Sequence, residues 1–129
     1  MATDPGHKVQ RLILGRLFLD LRTIWRTALT SNGYNPDFIS ISTAITVATL
    51  ENGGISANKL SLMLDLPRQT VQRHINEFVA AGFAERRGNR YRLTDQRLER
   101  PLPGLDDAVK AVLDAAIALR VAQNEHTRH

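Results

Sequence analysis

Between positions 68 and 76 the chain sets Arg68, Gln69, Gln72, Arg73 and Asn76 at the three- and four-residue intervals that bring side chains onto one face of an α-helix. Guanidinium and primary amide groups make paired hydrogen bonds to planar edges such as those of guanine and adenine, and they also bond phosphate oxygens. Thr70 stands among them, short enough for a phosphate or a thymine methyl. A second basic group follows, in which Arg86, Arg87, Arg90 and Arg92 bracket Gly88-Asn89. An arginine at the tip of a tight hairpin can enter a narrow minor groove while its neighbours neutralise phosphates. The expected nucleic-acid contacts are therefore Arg68, Gln69, Thr70, Gln72, Arg73, Asn76, Arg87, Asn89 and Arg90. Arg86 and Arg92 join them or not according to the strand register. The plain alternative is a solvated hairpin with ordinary surface arginines.

Charge placement supports the first reading. The 129 residues carry 17 Lys or Arg against 13 Asp or Glu, a net +4. Pro67 to Arg100 holds eight of those bases, all arginine, against four acids (Glu77, Glu85, Asp95 and Glu99), so the whole excess lies in about a quarter of the chain. The absence of cysteine from this sequence excludes thiolate nucleophiles, thiolate metal sites and disulfides. The histidines are His7, His74, His126 and His129, and none has a carboxylate at ligand or triad spacing. Neither an enzyme nor a cofactor or metal site is expected. His74 falls inside the basic helix and reads as a flank or packing residue. No apolar run approaches the ~20 residues of a membrane span, and Met1 to Lys8 lacks the pattern of a secretory signal, so a cytoplasmic protein is expected.

The elements that must position these groups follow from periodicity. His7 to Thr30 reads as a long helix on Val9, Leu12, Ile13, Leu17, Leu21, Ile24, Trp25 and Leu29, stopped by Ser31-Asn32-Gly33. Leu14, Phe18 and Ala28 widen its apolar stripe beyond what one small core requires, which points to a packing partner. Tyr34 to Ile41 reads as a loop around Pro36. Ser42 then caps a helix from Thr43 to Asn52, whose inner side is Ala44, Ile45, Val47, Ala48 and Leu50. Ser56 caps a third helix over Ala57 to Leu64, with Leu60 and Leu64 buried, and Asp65-Leu66 forms a tight turn. Pro67 suits the first position of a fourth helix that ends at Ala81-Gly82 and packs inward through Val71, Ile75, Phe78 and Val79. Phe83 to Arg87 and Arg90 to Leu93, separated by Gly88-Asn89, read as a hairpin in which Tyr91 is a core residue. Pro101-Leu-Pro-Gly104 breaks the chain before a last helix from Leu105 to Asn124, again apolar with little polar relief.

The fold class expected is mainly α with a small β-hairpin wing: a winged helix-turn-helix flanked by N- and C-terminal dimerisation helices. A single domain over 7–124 would comprise a dimerisation helix at 7–30, a winged core at 42–94 and a second dimerisation helix at 105–124, followed by a disordered tail at 125–129. Two helices joined by a short turn, with a basic second helix and a basic hairpin directly after, match the geometry of major-groove reading.

The stretch Leu60-Ser-Leu-Met-Leu64-Asp-Leu66-Pro67-Arg-Gln-Thr70-Val71-Gln-Arg73, with Gly82-Phe83-Ala-Glu85-Arg86 and Tyr91-Arg92-Leu93, resembles the winged helix-turn-helix of the MarR and IclR transcriptional regulators. The resemblance spans about residues 42–94. It implies a regulator that binds double-stranded DNA as a homodimer, with MarR-like flanking helices at the dimer interface and an IclR-like reading head. It also leaves room for a small apolar effector, in a crevice that Phe18, Trp25, Tyr34 and Phe38 could line, although core packing accounts for those aromatics equally. The sequence departs from both families: Asp65 stands at the usual turn glycine, the MarR wing motif Asp-x-Arg is missing from a shorter hairpin, and the chain has no length for an IclR effector domain. The rival reading is a winged helix used as a protein-protein adaptor without DNA, and the arginine clustering argues against it.

Overall fold

The computed structural model describes residues 5–28 and 35–127. In chain order they form α1 (Pro5–Ala28), α2 (Pro36–Asn52), α3 (Ala57–Leu64), α4 (Arg68–Ala80), β1 (Ala84–Arg87), β2 (Arg90–Leu93), α5 (Asp95–Glu99) and α6 (Leu105–Thr127). The chain divides into two units, one made of residues 34–101 and the other of 1–33 with 102–129.

Within the 34–101 unit, α2 starts well before the expected position. The Asn35 side chain accepts a hydrogen bond from the Asp37 amide at 2.9 Å, and Pro36 takes the first helical position, where its missing N–H costs nothing. Pro36 thus opens a helix where the sequence suggested a loop, and Ser42 lies inside that helix instead of capping it. The extra turns bury Phe38 and Ile41. The side of α2 that faces the core is Phe38, Ile41, Ala44, Ile45 and Ala48, whereas Val47 and Leu50, expected inward, are exposed.

α3 keeps its expected bounds, with the Ser56 side chain accepting from the Lys59 amide at 3.1 Å. Its closing turn places Asp65 in the left-handed region (φ 52°), and the Ser61 hydroxyl donates to the Leu66 carbonyl at 2.6 Å. Those bonds let a non-glycine residue make the turn between α3 and α4. Leu60, Val71 and Ile75 are fully buried between these helices and Phe78 nearly so, while Leu64 is only partly buried. Val79, expected inward, is exposed, and His74 takes an inward position instead.

β1 and β2 pair antiparallel across Gly88-Asn89, with Ala84 opposite Leu93, Glu85 opposite Arg92, Arg86 opposite Tyr91 and Arg87 opposite Arg90. An isolated bridge anchors this two-stranded sheet: Ile55 exchanges both backbone hydrogen bonds with Tyr91, at 2.9 and 2.8 Å. The approach is close enough that a Cβ on Gly54 would lie 2.9 Å from the Tyr91 carbonyl oxygen, so only glycine fits there. The buried Thr49 hydroxyl fixes the other end of the hairpin. It donates to the Ile45 carbonyl at 2.6 Å and accepts from the Leu93 amide at 3.0 Å.

α5 has no counterpart in the sequence reading. Thr94 caps it by accepting from the Arg97 amide at 3.3 Å, while its hydroxyl donates to the Gly82 carbonyl at 3.1 Å. Arg97 lies over the Phe83 ring at 4.2 Å, and burial, followed by the nearby Arg100 charge, lowers its pKa from the ordinary arginine value.

The second unit pairs α1 with α6. The half-buried positions of α1 are Gln10, Ile13, Leu17, Leu21, Ile24 and Trp25, and those of α6 are Ala108, Ala111, Ala115, Leu119 and Ala122, both at helical spacing. Gly104 (φ 83°), just before α6, packs against Ile24 near the end of α1, so the two helices run antiparallel. Outside this seam α1 exposes Val9, Leu12, Leu14, Phe18 and Leu19, and α6 exposes Val109, Val112, Leu113, Ile117 and Val121. The last helix runs through residues 125–127, which the sequence reading assigned to a disordered tail; residues 128–129 lie outside the described residues, as do Leu29 to Tyr34 with the expected Ser31-Asn32-Gly33 stop.

Candidate nucleic-acid interface

α4 owes its outward chemistry to the division of its faces. Val71, His74, Ile75 and Phe78 are turned into the core, which leaves Arg68, Gln69, Arg73 and Asn76 exposed and Thr70 and Gln72 partly so. Gln69, Gln72, Arg73 and Asn76, all expected contacts, line one open concavity of about 560 Å³ together with Glu77 and Ala80. Arg68 and Thr70 lie in the first turn and do not line it. Pro67 provides no side-chain cap there, so the positive end of the helix dipole faces out beside Arg68.

Gln72 is held in place. Its Nε2 donates to Asn76 Oδ1 at 2.9 Å and lies 3.4 Å from the Tyr91 hydroxyl, a bridge between α4 and the hairpin. The Tyr91 ring is in the core, as expected. Its hydroxyl bond to Gln72 is not legible in the sequence, because it depends on the crossing of two elements 19 residues apart.

The register settles which wing arginines share a face. Alternation puts Arg86 on the side of Tyr91, and Arg87, Arg90 and Arg92 on the other side with Glu85. Glu85 accepts from Arg92 at 2.8 Å and lies 3.1 Å from Arg87, and Asp95 takes the second Arg92 nitrogen at 3.0 Å. The hydrogen bonds to Glu85 and then Asp95 raise the Arg92 pKa above its ordinary value. Arg92 is thus a structural cation that ties the hairpin to α5. Arg86 Nε donates to the Gly88 carbonyl at 2.7 Å and braces the turn. Arg90 is exposed, with no carboxylate in ion-pair range among the described residues, and Asn89 is exposed beside it. Of the expected hairpin contacts, Arg90 and Asn89 therefore stand clear, whereas Arg87 shares Glu85.

His74 is 4% exposed, edge-on to Phe38 at 6.1 Å between ring centroids. Neither ring nitrogen has a hydrogen-bond partner, and Nδ1 lies 3.4 Å from the Glu77 carboxylate, outside hydrogen-bond geometry. This matches the packing role. Phe38 stacks on Phe78 at 4.6 Å in the same core, so it is not a crevice residue. Tyr34 lies outside the described residues.

The family model for winged helix-turn-helix DNA-binding domains matches residues 48–85, from the end of α2 into β1. Together with the hairpin after α4, this match gives the 34–101 unit a winged helix-turn-helix fold. Among solved structures, the chain is similar to IdeR of T. acidophilum at 24% identity and a TM-score of 0.43, over 50% of this chain and 30% of the length of that one. It is similar to a disulfide-formed AbfR at 12% identity and a TM-score of 0.49, over 95% of this chain and 82% of that one. The disulfide named for AbfR has no counterpart in this cysteine-free sequence. No curated protein gives a significant match. No helix among the described residues is long and apolar enough to cross a membrane.

Proposed function

We propose that the chain is a cytoplasmic, sequence-specific double-stranded DNA-binding transcriptional regulator of MarR-like architecture, acting as a homodimer and not as an enzyme. The observation that carries this reading is the gathering of Gln69, Gln72, Arg73 and Asn76 on the open face of α4, in a domain whose family model describes DNA binding. α4 would lie in the major groove, with Arg68 and Thr70 on the backbone at its entry. Arg90, Asn89 and Arg87 would meet the flanking minor groove or phosphates. Arg87 would exchange Glu85 for a phosphate oxygen as it docks.

Dimerisation is supported by the α1–α6 unit. α6 turns mostly alanines toward α1 and leaves its larger aliphatic side chains outside, the reverse of what an isolated two-helix unit needs. The charges are complementary as well: α1 carries Lys8, Arg11, Arg16, Arg22 and Arg26 against Asp20, while α6 carries Asp106, Asp107, Asp114 and Glu125 against Lys110 and Arg120. A second copy offering α6 to α1 would cover both apolar faces and set a net acidic helix beside a net basic one. Two-fold symmetry then calls for half-sites about 34 Å apart. A small apolar effector would have to sit against the α1–α6 faces, where Phe18 is 66% exposed and Trp25 half-buried.

The test is selection of bound fragments from random duplex DNA, followed by affinity measurement across a salt series. A pseudo-palindromic consensus and a steep salt dependence are expected. Arg73→Ala should cost about 1–3 kcal/mol on the selected site, and Arg90→Ala should reduce the salt slope by about 1. Binding that ignores salt and both substitutions would favour the adaptor reading.

A further inference from the structure

The hydrogen bonding around Gln72 goes beyond exposing a polar side chain, because it fixes which pattern of donors and acceptors reaches a base. A primary amide has one carbonyl acceptor and two N–H donors. Gln72 Nε2 donates to Asn76 Oδ1 at 2.9 Å, and the same nitrogen faces the Tyr91 hydroxyl at 3.4 Å. Both Gln72 protons thereby have partners within the protein, so its free group is the Oε1 acceptor. Asn76 has its oxygen engaged and its Nδ2 protons free. The linked pair offers one acceptor and one donor, on residues one helical turn apart at the edge of the open concavity. Exchanging the oxygen and nitrogen of both amides reverses the order of the two groups and leaves their kinds unchanged.

In the major groove, adenine presents the N6 donor beside the N7 acceptor, whereas guanine presents two acceptors, O6 and N7. We propose that Gln72 and Asn76 act as one composite reader of adenine, with the Tyr91 hydroxyl as the positioning group that keeps the Gln72 amide turned for it. The inference rests on the reading of α4 as the major-groove helix and adds the base class read at its centre. A guanine at that position would set an acceptor against the pair's free carbonyl oxygen. Arg73, with donors only, is left for guanine or phosphate.

The experiment compares the full chain with Gln72→Ala, Asn76→Ala and Tyr91→Phe, by selection from random duplex DNA and then by affinity for the selected site and its single-base variants. The wild type should select adenine at one position of each half-site and bind the guanine variant about 5- to 150-fold more weakly. Replacing that adenine by 7-deazaadenine, which lacks the N7 acceptor, should weaken the wild type and leave unaffected whichever of Asn76→Ala and Gln72→Ala has removed the donor to N7. Tyr91→Phe keeps the buried ring. It should therefore retain non-specific affinity and thermal stability while losing several-fold of the adenine-over-guanine ratio, a readout that a purely packing role would not move. The proposal is overturned if selected sites contain no adenine whose preference depends on both amides, or if Tyr91→Phe discriminates as the wild type does. Those results would leave DNA binding intact, whereas the absence of any salt-sensitive binding would remove the α4 reading together with this one.

Discussion

Two buried polar side chains in the 34–101 unit behave in opposite ways, and the difference lies in their partners. The Thr49 hydroxyl both donates and accepts, and the amide it serves belongs to Leu93 on the hairpin. Thr49→Val keeps the shape but leaves that amide without an acceptor, so the unit should lose about 1–3 kcal/mol in denaturant unfolding. His74 occupies the reverse situation: neither ring nitrogen has a hydrogen-bond partner, with Phe38 against the ring and the Glu77 carboxylate 3.4 Å from Nδ1. An apolar replacement removes the desolvated nitrogens with little loss of volume. His74→Leu should therefore leave stability unchanged or raise it by up to about 2 kcal/mol, and a loss of more than about 1 kcal/mol would mean that the Nδ1–Glu77 approach contributes to stability.

At the scale of elements, the joint between Gly104 and Ile24 governs how α6 begins. A Cβ on Gly104 would stand 2.8 Å from the Ile24 side chain, on a backbone at φ 83° that L-residues avoid. Gly104→Ala should cost about 1–3 kcal/mol in the melting of the α1–α6 unit, with the hairpin unit unaffected by the same probe. Legibility at this scale depended on where a signal was local. α3 is readable to the residue because Ser56 and the Leu60 spacing state its start and inner face within a single turn. The start of α2 was obscured because Pro36 signals a loop and a first helical turn equally, and Asn35 as the cap decides between them only once Phe38 and Ile41 are seen to have a core to fill. α5 is too short to show a period, and its cap, Thr94, reads as an ordinary strand end. Within the candidate interface, the face of α4 could be sorted from spacing alone. The withdrawal of Arg92 and the anchoring of Gln72 could not, since both depend on cross-strand and helix-hairpin partners that no local pattern specifies.

For the whole molecule, the exposed apolar side chains of α1 and α6 set the expected assembly. Leu113 and Ile117 lie one turn apart on the outer side of α6, 57% and 65% exposed. Charge placed there leaves the α1–α6 seam untouched. Leu113→Lys with Ile117→Lys should convert a dimer to a monomer in sedimentation at micromolar concentration. It should also reduce specific affinity far more than non-specific affinity, because the second half-site is lost while each reading head remains. A wild-type chain that sediments as a monomer would remove the two-half-site arrangement.

Among the described residues, the attachments of the hairpin lie below its tip. Thr49 holds Leu93, Ile55 and Gln72 hold Tyr91, Asp95 holds Arg92, and Thr94 holds Gly82, while the outboard end is Gly88-Asn89 with Arg87 and Arg90. It is a cantilever: a sideways load on the tip bends the free span without disturbing the buried residues that clamp its base. Such a beam can follow a groove that narrows or widens from one DNA sequence to the next, and the cost of doing so falls on the duplex and the span, leaving the seating of α4 unchanged.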